Sequence, residues 1–408
     1  MPRKIAIIVQ RYGLEINGGA EYHARLIAEK LSAHFAVEVF TTTASDYVTW
    51  GHHYPEGREE LNGIPVNRFR VQKPRDPETF GRLQLHIFQE EHVLADELRW
   101  LDEEGPLVPN LLRELERRQE EFAYFIFFSY RYYHSFHGVI KFGRQAILVP
   151  TAEHDQVIYL SLFQDFFHLP AAIVYNSPEE MELIRRVSGN EDVPGDVVGV
   201  GSEIPERIEP QRTLGPLAIT GRYFIYIGRL DENKGVPELF NFYRRLKAET
   251  GADLKLVLVG KAHVPVPEDP DVIHVGFQEN REKFDLLMGA EFLVMPSQFE
   301  SLSMVALEAW AIGKPVLANG RTEVLRGQCR RSHAGLWYSD YAEFRETFLA
   351  LSRDPGLREL LGANGKKFFR ANYAWDVIEA KYLEIISRLD KRTPPGPAAP
   401  ASRAVGTF

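Results

Sequence analysis

Two glutamates, Glu300 and Glu308, are the residues of this sequence whose type and spacing most directly suggest chemistry. Seven residues separate them, and both follow the strand-like segment 292–295. Apolar residues recur at helical spacing over 302–311, which predicts a helix beginning just after Glu300. One carboxylate would then lie in the loop before the helix, and the other about 9 Å along the helix axis.

The N-terminus of this predicted helix favours an anion between the two carboxylates. Its first backbone N–H groups have no partners within the helix, and the helix dipole is positive at this end. A diphosphate would suit that position, with Ser301, Leu302 and Ser303 in the loop that binds it. Each carboxylate could accept hydrogen bonds from vicinal hydroxyls, so the arrangement matches a nucleotide-sugar. Alternatively, Glu300 only complements the helix dipole.

The bulk properties of the chain predict a globular protein of two domains. A chain of 408 residues is too long for one ordinary core, and its 44% hydrophobic and 26% charged content is typical of folded proteins. The net charge of −9 argues against nucleic acid as a partner. Cys329 is the only cysteine, which excludes an intramolecular disulfide and fits a reducing compartment. No apolar segment approaches the length of a membrane span, so we expect a cytoplasmic protein.

The first half of the sequence alternates strands and helices. Segments 4–10, 19–32 and 36–42 read as strand, helix and strand, a βαβ unit that predicts a parallel sheet. Gly18 and Gly19 form the strand-to-helix turn, where the backbone can approach a ligand closely, although such a turn can also be purely structural. No Gly-x-Gly-x-x-Gly motif is present at this turn, so a nicotinamide-dependent enzyme loses support.

Helical sequence at 76–121 interrupts the alternation, and polar residues follow each of the next two strands. Tyr130 and Arg131 come after the first of these strands, and His154 and Asp155 come after the second. Ligands of open α/β sheets bind beyond the carboxyl ends of the strands. Tyr130, Arg131 and Asp155 could therefore contact an acceptor sugar. Alternatively, Tyr130 and Arg131 simply pack between sheet and helix. His154 could likewise serve the substrate or be structural.

The second half starts a new α/β pattern and places two cations after its first strand. Arg229 and Lys234 lie in the loop that follows strand 223–227, where a guanidinium fork and an ammonium could neutralise a diphosphate. Gly276 and Phe277 end a later strand and could offer backbone groups to a nucleotide base. The Asp-Pro-Asp sequence that precedes that strand reads as a surface turn, so we expect no metal site.

These segments divide the chain into five parts. We predict an N-terminal domain at 1–200, a linker at 201–221, a C-terminal domain at 222–374, a final helix at 375–390 and a disordered tail at 391–408. The linker and the tail are assigned from their proline- and glycine-rich composition.

The order of three motifs resembles the family-4 retaining glycosyltransferases of GT-B fold. The motifs are Asn17-Gly18-Gly19-Ala20-Glu21, Gly228-Arg229-Leu230 with Lys234-Gly235, and Glu300 to Glu308 followed by Ala309-Trp310-Ala311-Ile312-Gly313-Lys314-Pro315-Val316. The resemblance covers nearly the whole chain. It implies two Rossmann-like parallel-sheet domains that face a cleft, a nucleotide-sugar bound by the C-terminal domain, and a final helix that crosses back to the first domain.

The resemblance also implies roles for single residues. Arg229 and Lys234 would hold the diphosphate, Glu300 would contact the donor sugar, and Glu308 would contact the ribose. His154 is similar to the family's histidine near the reacting sugar.

Three further positions follow from the same resemblance. Gly18 and Gly19 would approach the phosphates or the acceptor. Ser303 departs from the family, in which many members carry glycine at this position, and it could alter how the loop holds the phosphate.

The residues and the resemblance together predict a metal-independent enzyme without a cofactor. It would move a hexose-type sugar, with retention, from a nucleotide diphosphate to a glycan or lipid-linked acceptor, in bacterial surface polysaccharide or glycolipid synthesis. Two alternatives stay open: a noncatalytic sugar- or nucleotide-binding subunit, and a sugar-nucleotide epimerase. Peripheral contact with the inner face of the membrane is also open.

Overall fold

Two sheets organise the residues that the computed structural model describes, 3–16 and 18–392. The elements of the first half are β1 Lys4–Ile8, α1 Gly19–Leu31, β2 Ala36–Thr42, β3 Gly57–Leu61, β4 Ile64–Phe69, α2 Pro77–Gln89, α3 Leu94–Glu104, α4 Pro109–Arg117, β5 Tyr124–Phe128, α5 Tyr133–Phe142, β6 Ala146–Val149, β7 Ala172–Tyr175, α6 Pro178–Ser188 and β8 Gly195–Val197. Short 3₁₀ turns lie at Gln119–Glu121, Gly143–Gln145, Val157–Tyr159, Ser161–Phe163 and Phe166–His168.

The eight strands of the first sheet lie in the order β3-β4-β2-β1-β5-β6-β7-β8. Neighbouring strands are parallel, except that β3 and β4 form an antiparallel hairpin at one edge. Asn62 and Gly63 turn this hairpin with φ values of 50° and 78°, and positive φ at both residues is what a type I′ turn requires. The central strands β5, β6 and β7 are buried throughout, as parallel strands covered on both faces are.

The second half repeats the architecture with six parallel strands in the order β11-β10-β9-β12-β13-β14. Its elements are α7 Pro210–Leu214, β9 Tyr223–Ile227, α8 Val236–Thr250, β10 Lys255–Val259, β11 Val272–His274, α9 Asn280–Gly289, β12 Leu293–Met295, α10 Met304–Ala311, β13 Val316–Asn319, α11 Glu323–Ser332, β14 Gly335–Tyr338, α12 Tyr341–Arg353, α13 Pro355–Asn372 and α14 Trp375–Arg392.

Helix α14 returns from the second sheet to the first. Its Asp390 accepts hydrogen bonds from Arg3 and, at 2.8 Å, from the Tyr124 hydroxyl at the start of β5. The Lys381 ammonium lies 3.3 Å from the carbonyl oxygen of Val197 in β8. The helix therefore ties the end of the chain to the first half.

Two of the predicted segments differ in detail from the structure. The segment predicted as a linker, 201–221, contains α7, whose Arg212 donates to the buried carboxylate of Asp285 in α9 at 2.8 Å. The last helix continues to Arg392, two residues past the predicted end at 390, because its amphipathic pattern continues to buried Leu389 and charged residues follow. The first two residues of the predicted tail are thus helical, and 393–408 lie outside the described residues. None of the helices in 3–16 and 18–392 combines the length and the apolarity that crossing a bilayer would need.

Candidate active site

The loops after β9 and β12 meet at the centre of the candidate site. These strands are neighbours in the sheet whose connections run to opposite sides, and ligands of open α/β sheets bind at such switch points. Gly235, which ends the first loop, has a φ of +69°, and a Cβ on it would lie 2.2 Å from the carbonyl oxygen of Pro296. The Gln298 N–H donates to the Asn233 carbonyl oxygen at 3.2 Å. Glycine is therefore needed for the two loops to approach this closely.

Lys234 and Glu300 form an ion pair across these two loops. Lys234 Nζ lies 2.8 Å from Glu300 Oε1, and only 24% and 11% of the two side chains are exposed. Burial lowers the pKa of Lys234, but the carboxylates of Glu300 and Glu153 outweigh burial and raise its pKa above the ordinary value. Lys234 is thus a fixed positive charge near neutral pH.

Glu153, in the loop after β6, is the third charged group of this cluster. Burial raises the pKa of Glu153 to about 7; the Lys234 ammonium acts to lower it, and the Glu300 carboxylate acts to raise it. Charges influence each other this strongly only at short range. Glu153 of the first half thus lies within electrostatic range of the Lys234–Glu300 pair of the second half.

Glu180, near the start of α6, anchors the loop that carries Glu153. Its carboxylate accepts hydrogen bonds from the Ala152 and Asn176 N–H groups, both at 2.5 Å. Ser177 caps the same helix, with its Oγ accepting the Glu180 N–H at 3.1 Å. Burial raises the pKa of Glu180 to about 8, although the hydrogen bonds from Asn176 and Ala152 oppose this shift. Glu180 thus holds the loop of Glu153 from within the protein, because its carboxylate is buried and bound to backbone N–H groups.

Arg229 lies on the same loop as Lys234 and reaches toward the first half. Its guanidinium donates to the Tyr47 hydroxyl and lies over the Tyr47 ring, 5.1 Å from the centroid. Its Nη2 is 3.4 Å from Asp231 Oδ2, and 42% of the side chain is exposed. The second predicted cation is therefore accessible to an anion in the cleft.

Glu308 is buried in α10 and paired with a residue that the sequence analysis does not single out. Lys283 Nζ of α9 lies 2.7 Å from Glu308 Oε1. Glu308 Oε2 is buried and has no hydrogen-bond partner among the described residues. A buried oxygen in this condition is suited to accept a hydrogen bond from a bound hydroxyl group.

The backbone N–H groups at the start of α10 are not all free, although the sequence predicts free groups there. Ser303 is the N-cap residue, and its Oγ accepts the Ala306 N–H at 3.3 Å, so the helix begins at Met304 rather than at Leu302. The Ser303 N–H itself donates to Gln328 Oε1 at 3.3 Å. Two of the amides at this helix start thus have partners within the protein. Ser301 is half-buried and Leu302 is buried beside them.

The two glycines before α1 have different surroundings. A Cβ on Gly18 would lie 2.2 Å from Glu21 Oε2 and 3.0 Å from Arg11 Nη2, and Glu21 accepts a hydrogen bond from Arg11 Nε at 2.8 Å. No atom lies within 4 Å of the position that a Cβ on Gly19 would take. Gly18 is therefore required by the Arg11–Glu21 pair, whereas Gly19 borders open space.

Gly276 and Phe277 lie just beyond the carboxyl end of β11. The Gly276 carbonyl oxygen accepts the Gly260 N–H at 2.8 Å, and Gly276 has a φ of +71°. Phe277 leaves 53% of its side chain exposed, which is unusual for so large an apolar residue. Its ring is available to stack on a planar group.

Tyr130 packs in the core, which is one of the two roles that the sequence allowed for it. It is 2% exposed, and its ring lies 4.7 Å from that of Phe163 and 5.4 Å from that of Phe167. The residue is part of the core and not of the cleft surface.

Arg131, Asp155 and His154 lie near the carboxyl ends of β5 and β6. Arg131 donates to Asp155 Oδ2 at 2.9 Å and to Glu104 Oε1 of α3 at 2.8 Å. His154 is exposed, and its ring lies 5.8 Å from the ring of Tyr159. Arg131 and Asp155, both candidate acceptor-side residues, thus form an ion pair. Glu104 connects this pair to the helical segment 77–117.

Three residues of the cluster were missed by the sequence analysis. Glu153 immediately precedes His154, and its position at a strand end was the only available signal. The sequence around Lys283 and Tyr47 does not indicate a site, because their partners are distant along the chain. Glu308 is 25 positions from Lys283, and Arg229 is 182 positions from Tyr47.

The Asp-Pro-Asp sequence forms a surface turn, as predicted. Asp269 and Asp271 both lie near Lys247, with Asp269 Oδ1 3.4 Å from Lys247 Nζ. Across 3–16 and 18–392, no three His, Cys, Asp or Glu side chains gather as a metal site would require.

Residues 215–368 match the family model described as glycosyl transferases group 1. This segment contains Arg229, Lys234, Glu300 and Glu308. The chain is also 24% identical over 417 residues to an uncharacterized glycosyltransferase of Methanocaldococcus jannaschii, and the match covers 94% of this chain and 97% of that protein. These matches support the predicted glycosyltransferase.

Two solved structures share the fold over nearly the whole chain. Sucrose-phosphate synthase from Thermosynechococcus elongatus aligns with a TM-score of 0.69 at 17% identity and covers 96% of this chain and 100% of its own. HepE of Anabaena, in complex with UDP-glucose, aligns with a TM-score of 0.67 at 15% identity. This alignment covers 94% of this chain and 99% of HepE. The likeness confirms the predicted α/β fold of GT-B type, with two parallel-sheet domains.

Proposed function

We propose that this chain, whose residues 215–368 match the group 1 glycosyl transferases, transfers a hexose-type sugar from a nucleotide diphosphate to a carbohydrate or lipid-linked acceptor. The transfer proceeds with retention and without a metal ion. It takes place in the cytoplasm or at the inner face of the membrane, as a step of surface polysaccharide or glycolipid synthesis.

The observation that carries this proposal is the Lys234–Glu300 pair at the switch point of the second sheet. Its ammonium is held at 2.8 Å by one carboxylate, with Arg229 on the same loop and the start of α10 beside it. These groups are fixed before any ligand arrives, and preorganised charge is the main source of catalysis in reactions that release an anion.

The proposed reaction breaks the bond between the anomeric carbon of the donor sugar and an oxygen of the diphosphate. The electron pair leaves with that oxygen, and Lys234 and Arg229 stabilise the negative charge that develops on the diphosphate. A bond then forms between the anomeric carbon and the acceptor hydroxyl oxygen, and the proton of that hydroxyl passes to an oxygen of the departing diphosphate. Glu300 stabilises the positive charge that develops on the sugar ring, and His154 shapes the far side of the sugar.

The remaining site residues bind the nucleotide in this proposal. The unpartnered Oε2 of Glu308 accepts a hydrogen bond from a ribose hydroxyl while Lys283 holds Oε1. Phe277 and the backbone of Gly276 contact the base, and the backbone of Gly19 approaches the phosphates or the acceptor. Closure of the two halves excludes water that would hydrolyse the donor.

Retention and the acceptor class rest on the resemblance to the family-4 enzymes. The donor class is supported by the likeness to the fold of HepE, whose structure contains UDP-glucose.

The test is an assay of UDP-, GDP- and ADP-sugars with and without carbohydrate and lipid-linked acceptors. We expect one nucleoside diphosphate to be released in proportion to a glycosylated product, whose anomeric configuration is read by NMR. Binding without release in every mixture would identify a noncatalytic subunit instead. A donor converted to another sugar nucleotide without any acceptor would identify an epimerase.

A further inference from the structure

Tyr47 joins the two halves at the cationic side of the cleft, and it follows β2 of the first sheet. Its hydroxyl accepts a hydrogen bond from Arg229 of the second half. Two guanidinium groups lie near the centroid of its ring, that of Arg229 at 5.1 Å and that of Arg11 at 5.4 Å. Even so, 40% of Tyr47 is exposed, so it borders the cleft.

The loop that carries Tyr47 is fixed by the residue before it. Asp46 Oδ1 accepts the Val48 and Thr49 N–H groups at 2.9 and 2.7 Å, and Asp46 Oδ2 accepts the Thr49 hydroxyl at 2.9 Å. An aspartate that holds the following amides in this way stabilises a tight turn. The Tyr47 ring is therefore presented by a rigid loop.

A second anchor connects this loop to the wall of the cleft. Arg75 donates to the Tyr47 carbonyl oxygen at 3.1 Å and to Glu104 Oε2 at 2.8 Å. Glu104 also binds Arg131 at 2.8 Å. The position of Tyr47 is thus set by the first half, independently of Arg229.

We propose that Tyr47 is a positioning residue that holds the Arg229 guanidinium in the orientation that binds the donor diphosphate. This inference rests on the proposed function and extends it, because it assigns a residue of the first half to donor binding in the second. Tyr47 acts through Arg229, and closure of the cleft around a donor preserves their contact.

The Arg229 guanidinium has enough N–H donors to bind Tyr47 and a phosphate at the same time. Tyr47 can therefore orient this group without competing with the phosphate for it. Arginine has five N–H donors in a fixed plane. In the structure, Nη1 donates to Tyr47 and Nη2 faces Asp231, so donors remain for phosphate oxygens while both contacts persist. An arginine side chain that is already oriented loses less conformational entropy when it binds, which increases affinity.

The experiment measures binding of UDP, GDP and ADP by titration calorimetry to the wild type, Tyr47→Phe, Arg229→Ala and the double variant. Tyr47→Phe keeps the ring and removes only the hydroxyl. We expect the variant to weaken binding of the preferred nucleotide by about tenfold, the usual effect of one hydrogen bond to a charged group. In the Arg229→Ala background the same change should have no further effect. The donor KM should rise in Tyr47→Phe while the acceptor KM stays constant.

Tyr341→Phe is the matched control. Arg245 lies over the Tyr341 ring at 3.9 Å, and the Tyr341 hydroxyl donates to Glu249 at 2.8 Å, so the same kind of arrangement exists on α8 and α12. This variant should bind nucleotide as the wild type does.

The outcomes separate this inference from the proposed function. Unchanged binding in Tyr47→Phe, or an equal loss in the presence and absence of Arg229, would overturn the role of Tyr47 alone. Failure of the wild type to bind any of the three nucleotides would overturn the proposed function and, with it, the role of Tyr47.

Discussion

Lys234 is an ammonium with three N–H donors, one of which is directed to Glu300. The Glu300 carboxylate orients Lys234 and keeps it charged, so the remaining donors can bind diphosphate oxygens. A lysine in this position is a strong site for an anion only while both its charge and its orientation are maintained.

Lys234→Ala and Glu300→Ala should each lower the transfer rate by about 100-fold or more, the usual effect of removing one group that stabilises developing charge. The measurement is kcat with saturating donor, together with a circular dichroism spectrum that should be unchanged. Lys247→Ala is the matched control, because Lys247 also pairs with carboxylates and is also 24% exposed, but it lies on α8 beside Asp269 and Asp271. A Lys234→Ala enzyme as active as the Lys247→Ala enzyme would contradict the assignment.

Glu153→Gln should stabilise the fold at alkaline pH. Burial raises the pKa of Glu153 to about 7 in the folded state, so the unfolded chain releases this proton first as pH rises. The free energy of unfolding of the wild type therefore falls between about pH 4.5 and pH 7, and the variant avoids this loss. We expect Glu153→Gln to be more stable by about 3 kcal/mol at pH 8 and nearly equal at pH 4.

Urea unfolding at the two pH values measures this difference. Equal stabilisation at both pH values would mean that the effect is one of packing and not of ionisation.

At the scale of the element, close approach of the β9 and β12 loops depends on one glycine. Gly235→Ala places a Cβ 2.2 Å from the Pro296 carbonyl oxygen at a φ of +69°. The loops must separate, so we expect a loss of more than about 2 kcal/mol of stability together with weaker donor binding.

Gly251→Ala is the control for the backbone angle alone. Gly251 ends α8 with a φ of +62°, and no atom lies within 4 Å of the position of its Cβ. This variant should lose about 1 kcal/mol and bind donor normally. Equal losses in the two variants, measured by urea unfolding, would show that loop contact is not what Gly235 provides.

The sequence predicted the elements around the site to within one or two residues. The first strand was expected at 4–10 and lies at Lys4–Ile8, and the helix of Glu308 was expected from 302 and starts at Met304. The difference in the helix arises because Ser303 acts as a cap. The β3–β4 hairpin was not predicted, because Gly57–Leu61 is an edge strand with a polar, mostly exposed sequence and no apolar alternation.

From the sequence, candidate site residues could be named where they are close along the chain or belong to a motif. Lys234 and Glu300 belong to recognisable motifs, and the structure joins them. Glu153, Lys283 and Tyr47 depend on contacts between distant segments, which local spacing does not encode. Tyr130 was open between ligand contact and packing, and only the position of Phe163 decided between the two.

At the scale of the whole molecule, the two halves share one charge cluster. Glu153 belongs to the first half and Lys234 to the second, so an anion bound to the second half must influence the ionisation of a group in the first. A diphosphate brings negative charge close to Glu153 and raises its pKa further.

Binding of a nucleoside diphosphate at pH 7.5 should therefore be accompanied by uptake of a fraction of a proton. Titration calorimetry in two buffers of different ionisation enthalpy measures this uptake. It should disappear in Glu153→Gln, which serves as the control for protons taken up by the nucleotide itself. Uptake that is the same in the variant would place the titrating group elsewhere.

The central claim is that Lys234 and Glu308 bind the two parts of one nucleoside diphosphate. The most direct measurement is the Kd of UDP, GDP and ADP for the wild type, Lys234→Ala, Glu308→Gln and the Lys247→Ala control. The account predicts that one nucleotide binds the wild type and the control equally, and that each site variant weakens its binding by about tenfold or more. Absence of binding by all three nucleotides, or equal binding by the wild type and both site variants, would contradict it.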